Sequence, residues 1–210
     1  MKPTKLGFLA SGRGTNMQAI IDACNSGRLD AEPVVVISNN ADALALNRAD
    51  REHIPAFHLG ARLFTDPDEL DQRIAETLMQ HGAELVILAG YMKKLGPRTL
   101  AAYAGRVINV HPALLPKFGG RGMYGDNIHR AVLAAGEPET GVTIHVVEEK
   151  YDSGPVLAQR KVKVEPGDTV QTLGARVLAV EHELFVETIG AVLQGKIKLP
   201  NNVLRSTFSD

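Results

Sequence analysis

Asn109-Val110-His111-Pro112, followed far downstream by Asp152-Ser153-Gly154-Pro155, holds the residue types in this chain best suited to chemistry. Val107 to His111 is an apolar run that turns polar at alternate positions and stops at a proline. Alternation along a strand puts Asn109 and His111 on one face, about 7 Å apart at a strand's rise per residue. Pro112 has no N–H to give to a ladder, so the strand should end there, with both side chains at the carboxyl edge of a sheet. An imidazole can exchange a proton near neutral pH, and an amide N–H can stabilise the oxygen that becomes negative during acyl transfer. A carboxylate beside the ring would favour its cation. Asp-Ser-Gly is also a good turn, and the distance in sequence leaves open whether Asp152 meets His111.

Two further loops could hold a ligand. Ser11-Gly12-Arg13-Gly14-Thr15-Asn16 follows a strand-length apolar run and opens a helix, where backbone N–H groups and close-approaching glycines suit an anion. The third glycine of a dinucleotide fingerprint would fall at Met17, and Ser38-Asn39-Asn40 supplies no acidic residue after the second strand. The Gly-Lys-Ser/Thr ending of a Walker loop is missing as well. One phosphate therefore fits better than a dinucleotide, and a tight turn with a capped helix fits too. Ala89 to Pro97, with Lys93 and Lys94, is a second carboxyl-edge loop of the kind that binds ligands in open sheets, although such lysines are commonly just solvated. No serine stands in a G-x-S-x-G elbow, which argues against a serine hydrolase. Metal ligation is weakly supported: there is no H-E-x-x-H, one cysteine, and Glu181-His182-Glu183 would diverge on a helix.

These loops need a scaffold. Leu6–Ala10, Pro33–Ser38, Leu85–Ala89 and Val107–His111 read as continuous apolar strands covered on both faces, with Ala56–Leu59 a weaker one. Helices are expected at Asn16–Asn25, Ala43–Glu52 and Asp66–Gln80, the last with Asp66 as N-cap, Pro67 at its first position and Glu69 completing a capping box. Pro116–Asn127 reads as a glycine-rich loop and Ile128–Ala135 as a short helix. Thr143–Val147 and Pro155–Val164 should pair antiparallel, and a long helix, about Thr169–Leu193, should close the fold. The pattern predicts an α/β, single-domain, Rossmann-like, doubly wound fold over residues 1–210. Its sheet is mostly parallel, with antiparallel strands near the C-terminal half, and about 200–210 form a loose tail.

With 210 residues, 44% hydrophobic and 22% charged, the chain has the composition of an ordinary globular protein. A formal net charge of −1 and no basic run leave no footprint for sequence-blind binding of nucleic acid or an anionic membrane. Cys24 is the only cysteine and no apolar stretch approaches membrane-spanning length, so a cytoplasmic setting is expected.

Taken together, several segments resemble the phosphoribosylglycinamide formyltransferase family, folate-dependent enzymes of purine (IMP) biosynthesis. They are Leu9 to Ile20, Ala89-Gly90-Tyr91-Met92, Ile108 to Pro116, and Gly141-Val142-Thr143-Ile144-His145 leading to Asp152-Ser153-Gly154-Pro155. The resemblance implies transfer of the formyl group of 10-formyltetrahydrofolate to the amino group of glycinamide ribonucleotide, without a metal, by a monomer or homodimer. It implies Asn109 as oxyanion donor, His111 as proton carrier, and Asp152 as the carboxylate that biases His111 or relays protons. Gly14, Thr15 and Asn16 match the loop that holds the ribonucleotide, and Glu181 matches a substrate-contacting glutamate. Met92, Lys93, Lys94 and Leu95, with Asn109, match the folate pocket. Two departures stand out: Phe118 to Asn127 is a longer loop than in many members, and Pro67 falls where some place an arginine. Alternatives are a formyltetrahydrofolate deformylase, which usually carries an added N-terminal domain, a methionyl-tRNA formyltransferase, which should carry a C-terminal one, or a silent nucleotide-binding module.

Overall fold

A computed structural model describes residues 2–200. Seven strands form one sheet: β1 (Thr4–Ala10), β2 (Ala31–Ser38), β3 (Ala56–His58), β4 (Leu85–Leu88), β5 (Val107–His111), β6 (Glu139–Val146) and β7 (Val156–Lys163). Their order is β3-β2-β1-β4-β5-β6-β7. The first five run parallel, and β6 and β7 are antiparallel to their neighbours. Among the described residues, six helices flank the sheet, five between strands and the last after β7: α1 (Thr15–Asn25), α2 (Leu44–Arg51), α3 (Pro67–Gln80), α4 (Pro97–Ala102), α5 (Asp126–Ala134) and α6 (Val170–Leu193). The doubly wound α/β expectation holds, antiparallel strands and long last helix included. The expected tail lies, apart from Pro200, outside the described residues.

Strand alternation divides the core between the two faces of the sheet. Leu6, Phe8, Leu85, Ile87, Ile108 and Val110 join the core beneath α1 and α6, whereas Leu9, Val86, Leu88 and Val107 face the core under α3. Asn109 and His111 continue the row that begins at Val107, so they stand where the second core gives way to a cavity. Burial on both faces is why these strands read as unbroken apolar runs.

The structure adds one helix cap and corrects another. Thr169 caps α6 through a reciprocal capping box with Thr172. Asp66 caps α3 by accepting from the Asp68 N–H at 2.9 Å, and Pro67 takes the first position. Glu69 is exposed and makes no return bond to Asp66 among the hydrogen bonds of the described residues, so the expected capping box is not formed. The acceptor serves the second helical N–H instead of the third, which leaves Glu69 nothing to complete. Helix α4 had no counterpart in the sequence reading. Its cap comes from the buried Asp71 of α3, which accepts from the N–H groups of Arg98 and Thr99 and from the Thr99 hydroxyl.

Candidate active site

The reactive floor is built by pairing across two strands, β5 and β6. Asn109 lies opposite His145 on β6, and His111 lies opposite Thr143. Directly opposed residues share a face, so the amide, the two imidazoles and the hydroxyl project together. His145 Nδ1 sits 2.9 Å from the Val146 carbonyl oxygen, which can only accept, so Nδ1 carries the proton and Nε2 is left as an acceptor. Asn109 Nδ2 lies 3.0 Å from that Nε2 and must be the donor. One histidine tautomer thereby fixes which way the Asn109 amide faces, leaving its second N–H free for a ligand. Burial holds His145 below its usual 6.5, which keeps the ring neutral and Nε2 able to accept.

His111 is only 3% exposed. Its Nε2 donates to the Phe118 carbonyl at 2.8 Å, which again fixes the tautomer and leaves Nδ1 bare. Across from Nδ1, at 3.7 Å, stands Asp152 Oδ1, which is also 3.6 Å from His145 Nε2. Asp152 therefore reaches His111, the contact that sequence alone left open. The separation is long for a hydrogen bond but within ion-pair range once Nδ1 takes a proton. The other carboxylate oxygen, Oδ2, accepts from the Gly120 N–H at 2.7 Å, so the carboxylate is aimed, not free to swing. Phe118 and Asp152 both have positive φ, 55° and 53°, a backbone state rare for non-glycine residues and concentrated at functional sites.

The other predicted residues come to the same place. At the head of α1, Gly14 has φ 68°, and a Cβ there would lie 2.8 Å from Ala45 Cβ, so only glycine fits the turn. The first-turn N–H groups that follow have no intrahelical acceptor and suit an anion. Asn16 Nδ2 donates to Glu181 Oε2 of α6 at 2.6 Å, and the Asn16 Oδ1 is buried without a partner among the described residues. Burial, only partly offset by that hydrogen bond, raises the Glu181 carboxyl above its usual 4.5. A cavity of about 610 Å³ joins Asn16 and Glu181 to Met92, Lys93, Lys94 and Leu95, and to Asn109, His111, His145 and Asp152. Gly14 and Thr15 flank Asn16 but do not themselves line it. Arg121 and Tyr124, in the long glycine-rich loop, do.

Ser11, which has no chemistry of its own to mark it, ties the loop after β1 to those after β2 and β4. Its N–H donates to the Gly90 carbonyl at 3.0 Å, its hydroxyl donates to Asn39 Oδ1, and the Met92 N–H donates to that hydroxyl at 2.7 Å. His145 was visible only as the end of a matched segment. The alternation of β6 could have flagged it, but its partner is known only once the β5–β6 register is known.

Residues 4–189 match the family model described as formyl transferase. The chain belongs to the formyl transferase family. It is 38% identical over 199 residues to a phosphoribosylglycinamide formyltransferase of Haemophilus influenzae, covering 95% of this chain and 92% of the relative. A crystal structure of glycinamide ribonucleotide transformylase 1 from Symbiobacterium toebii matches with TM-score 0.87 at 39% identity, over 92% of this chain and 89% of that one. A formyltetrahydrofolate deformylase from Pseudomonas syringae pv. tomato also matches, with TM-score 0.84 at 25% identity, over 95% of this chain but 64% of that one. The Haemophilus and Symbiobacterium relatives, by contrast, are matched over about nine-tenths of their length.

The buried titratable groups in and around the site predict how stability depends on pH. His129, His145 and His182 are all held below their usual 6.5 by burial, so the fold favours their neutral forms. Their contribution is complete above pH 6.5 and is lost as pH falls through the depressed folded values. Glu181 has the opposite sign: its fold favours the protonated form, and its contribution is lost as pH rises through the raised folded value. We therefore expect Glu181→Gln to raise the melting temperature at pH 8, by about 2–4 °C per kcal/mol of buried-charge cost removed. The gain should shrink as pH falls toward 5, and the variant should show a steeper acid loss than the parent. Melting curves across that range check the sign; a gain that grows with acidity would contradict it.

Proposed function

We propose that this protein transfers the formyl group of 10-formyltetrahydrofolate to the amino group of glycinamide ribonucleotide, as a step of purine biosynthesis. The observation that carries this is the shared cavity. A fixed amide donor and a proton-carrying imidazole lie at its floor, a buried asparagine–carboxyl pair at one end, and the Met92–Leu95 segment on its wall. The helix start at Gly14 to Asn16 offers backbone N–H groups to the ribonucleotide phosphate, and the unpartnered Asn16 Oδ1 with Glu181 can take its hydroxyl or amine donors. Lys93 and Lys94 supply cations for the carboxylates of a folate.

In the reaction the substrate amine attacks the formyl carbon, and the carbonyl oxygen becomes an oxyanion. Asn109 donates its second N–H to that oxygen. His111 Nδ1 takes the proton lost by the amine, and Asp152 at 3.7 Å faces the resulting imidazolium. The same nitrogen then returns the proton to the folate nitrogen as the carbon–nitrogen bond breaks. One proton moves from amine to leaving group, so no metal is needed to balance the step.

Mixing pure protein with both substrates and following formyl transfer tests the reading directly. Formylated ribonucleotide should form only when both are present. Formate released from 10-formyltetrahydrofolate alone, at a rate equal to that with the ribonucleotide, would make the protein a deformylase instead.

A further inference from the structure

The turn that holds both His111 and Asp152 is itself held by the neighbouring strands of the same sheet face. Phe118 supplies the carbonyl that accepts from His111, and Gly120 supplies the N–H that aims Asp152. Between them, a Cβ on Gly119 would lie 2.5 Å from Leu115 Cδ2 and 3.3 Å from Asp152 Cβ. Leu115 thus packs directly beneath the turn, and the position of its backbone sets where the turn sits.

That backbone is fixed by Thr143 and Gln159. The Thr143 hydroxyl lies 2.6 Å from the Ala113 carbonyl, 3.0 Å from the Leu115 N–H and 2.9 Å from Gln159 Nε2. With one proton and two lone pairs, it must donate to Ala113 and accept from the other two, which uses its whole capacity. Gln159 Nε2 spends its second proton on the Leu115 carbonyl at 3.0 Å. Gln159 stands opposite Thr143 on β7, and Thr143 opposite His111 on β5, so the three form one row across the sheet. No other side chain donates to the Leu115 carbonyl among the hydrogen bonds of the described residues.

We propose that Gln159 is a positioning residue for formyl transfer. By anchoring the Leu115 carbonyl it sets the 118–120 turn and, through that turn, the tautomer of His111 and the aim of Asp152. The proposal rests on the function given above, but one of its readouts does not. Gln159→Met keeps length and volume while removing both donors, and Gln159→Glu keeps the shape while replacing the donors by acceptors. Each is expected to lower kcat roughly 10- to 100-fold, the cost of a small misplacement of catalytic groups, with KM for either substrate changed less than about twofold. In the ligand-free protein, ¹⁵N NMR should show the His111 ring shifting from the Nε2–H tautomer toward a mixture.

A folded Gln159→Met with parental kcat and an unmoved His111 spectrum would overturn the proposal. A lower kcat that tracks a lower melting temperature, with the His111 tautomer intact, would overturn it equally, since Gln159 would then be structural only. Should the methionine variant not fold, the glutamate variant carries the same comparison. If the parent shows no formyl transfer, the function is wrong, and the NMR shift still decides the positioning role on its own.

Discussion

Replacing His111 by alanine should lower turnover by roughly 10²–10⁴, the usual contribution of a proton-transfer group. The ring is buried, its Nε2 is committed to the Phe118 carbonyl, and Nδ1 alone faces both Asp152 and the cavity. Among the described residues, the two side chains that face the ring are otherwise committed. His145 has its bare nitrogen occupied by Asn109 and is held neutral by burial, and Asp152 is held by Gly120. The loss should fall on kcat and leave KM for both substrates nearly unchanged, because the proton moves only as the transition state forms. Added imidazole should restore part of the rate by entering the space the ring vacates. Turnover within threefold of the parent, in a folded protein with no response to imidazole, would remove His111 from the reaction.

How much of this was readable in the sequence depends on whether each contact is local. The strands at β1, β2, β4 and β5 announced themselves because burial on both faces leaves an unbroken apolar run. Helix α3 announced its start through Pro67 and Asp66. Helix α4 did not, because its cap is a carboxylate from another helix, and no spacing rule reaches from Asp71 to Thr99. The site divides in the same way. That Asn109 and His111 share a face follows from period two alone. That His145 locks Asn109 requires the antiparallel register, and that Asn16 meets Glu181 requires α1 and α6 to pack together. The family resemblance supplied Glu181 as a functional residue, and strengthened Asp152, without their contacts. The Thr143–Gln159 anchor came from neither source, since its members do not face the substrate.

Asn109→Ala should cost on the order of 10²–10³ in kcat, the effect of deleting one preorganised oxyanion donor. The amide is useful because it is already turned. His145 accepts one of its two N–H groups, so the other points into the cavity before any substrate arrives, and no reorganisation is left for the moment when charge develops on oxygen. Asn109→Asp should therefore be no better than alanine, since a carboxylate puts an acceptor opposite the lone pair of neutral His145 and offers the oxyanion nothing. His145→Ala leaves the donor present but free to turn, and should cost less than losing it. In the double variant the His145 change should add little to the loss already produced by Asn109→Ala, because its effect is transmitted through the amide. Fully multiplicative losses, measured as kcat in a double-mutant cycle, would instead mean that His145 touches the reaction directly. Acid should act like the His145 change: once Nε2 is protonated it can no longer accept. The acid limb of kcat governed by that ring should then lie below pH 6.5, because burial depresses it, and should disappear in Asn109→Ala.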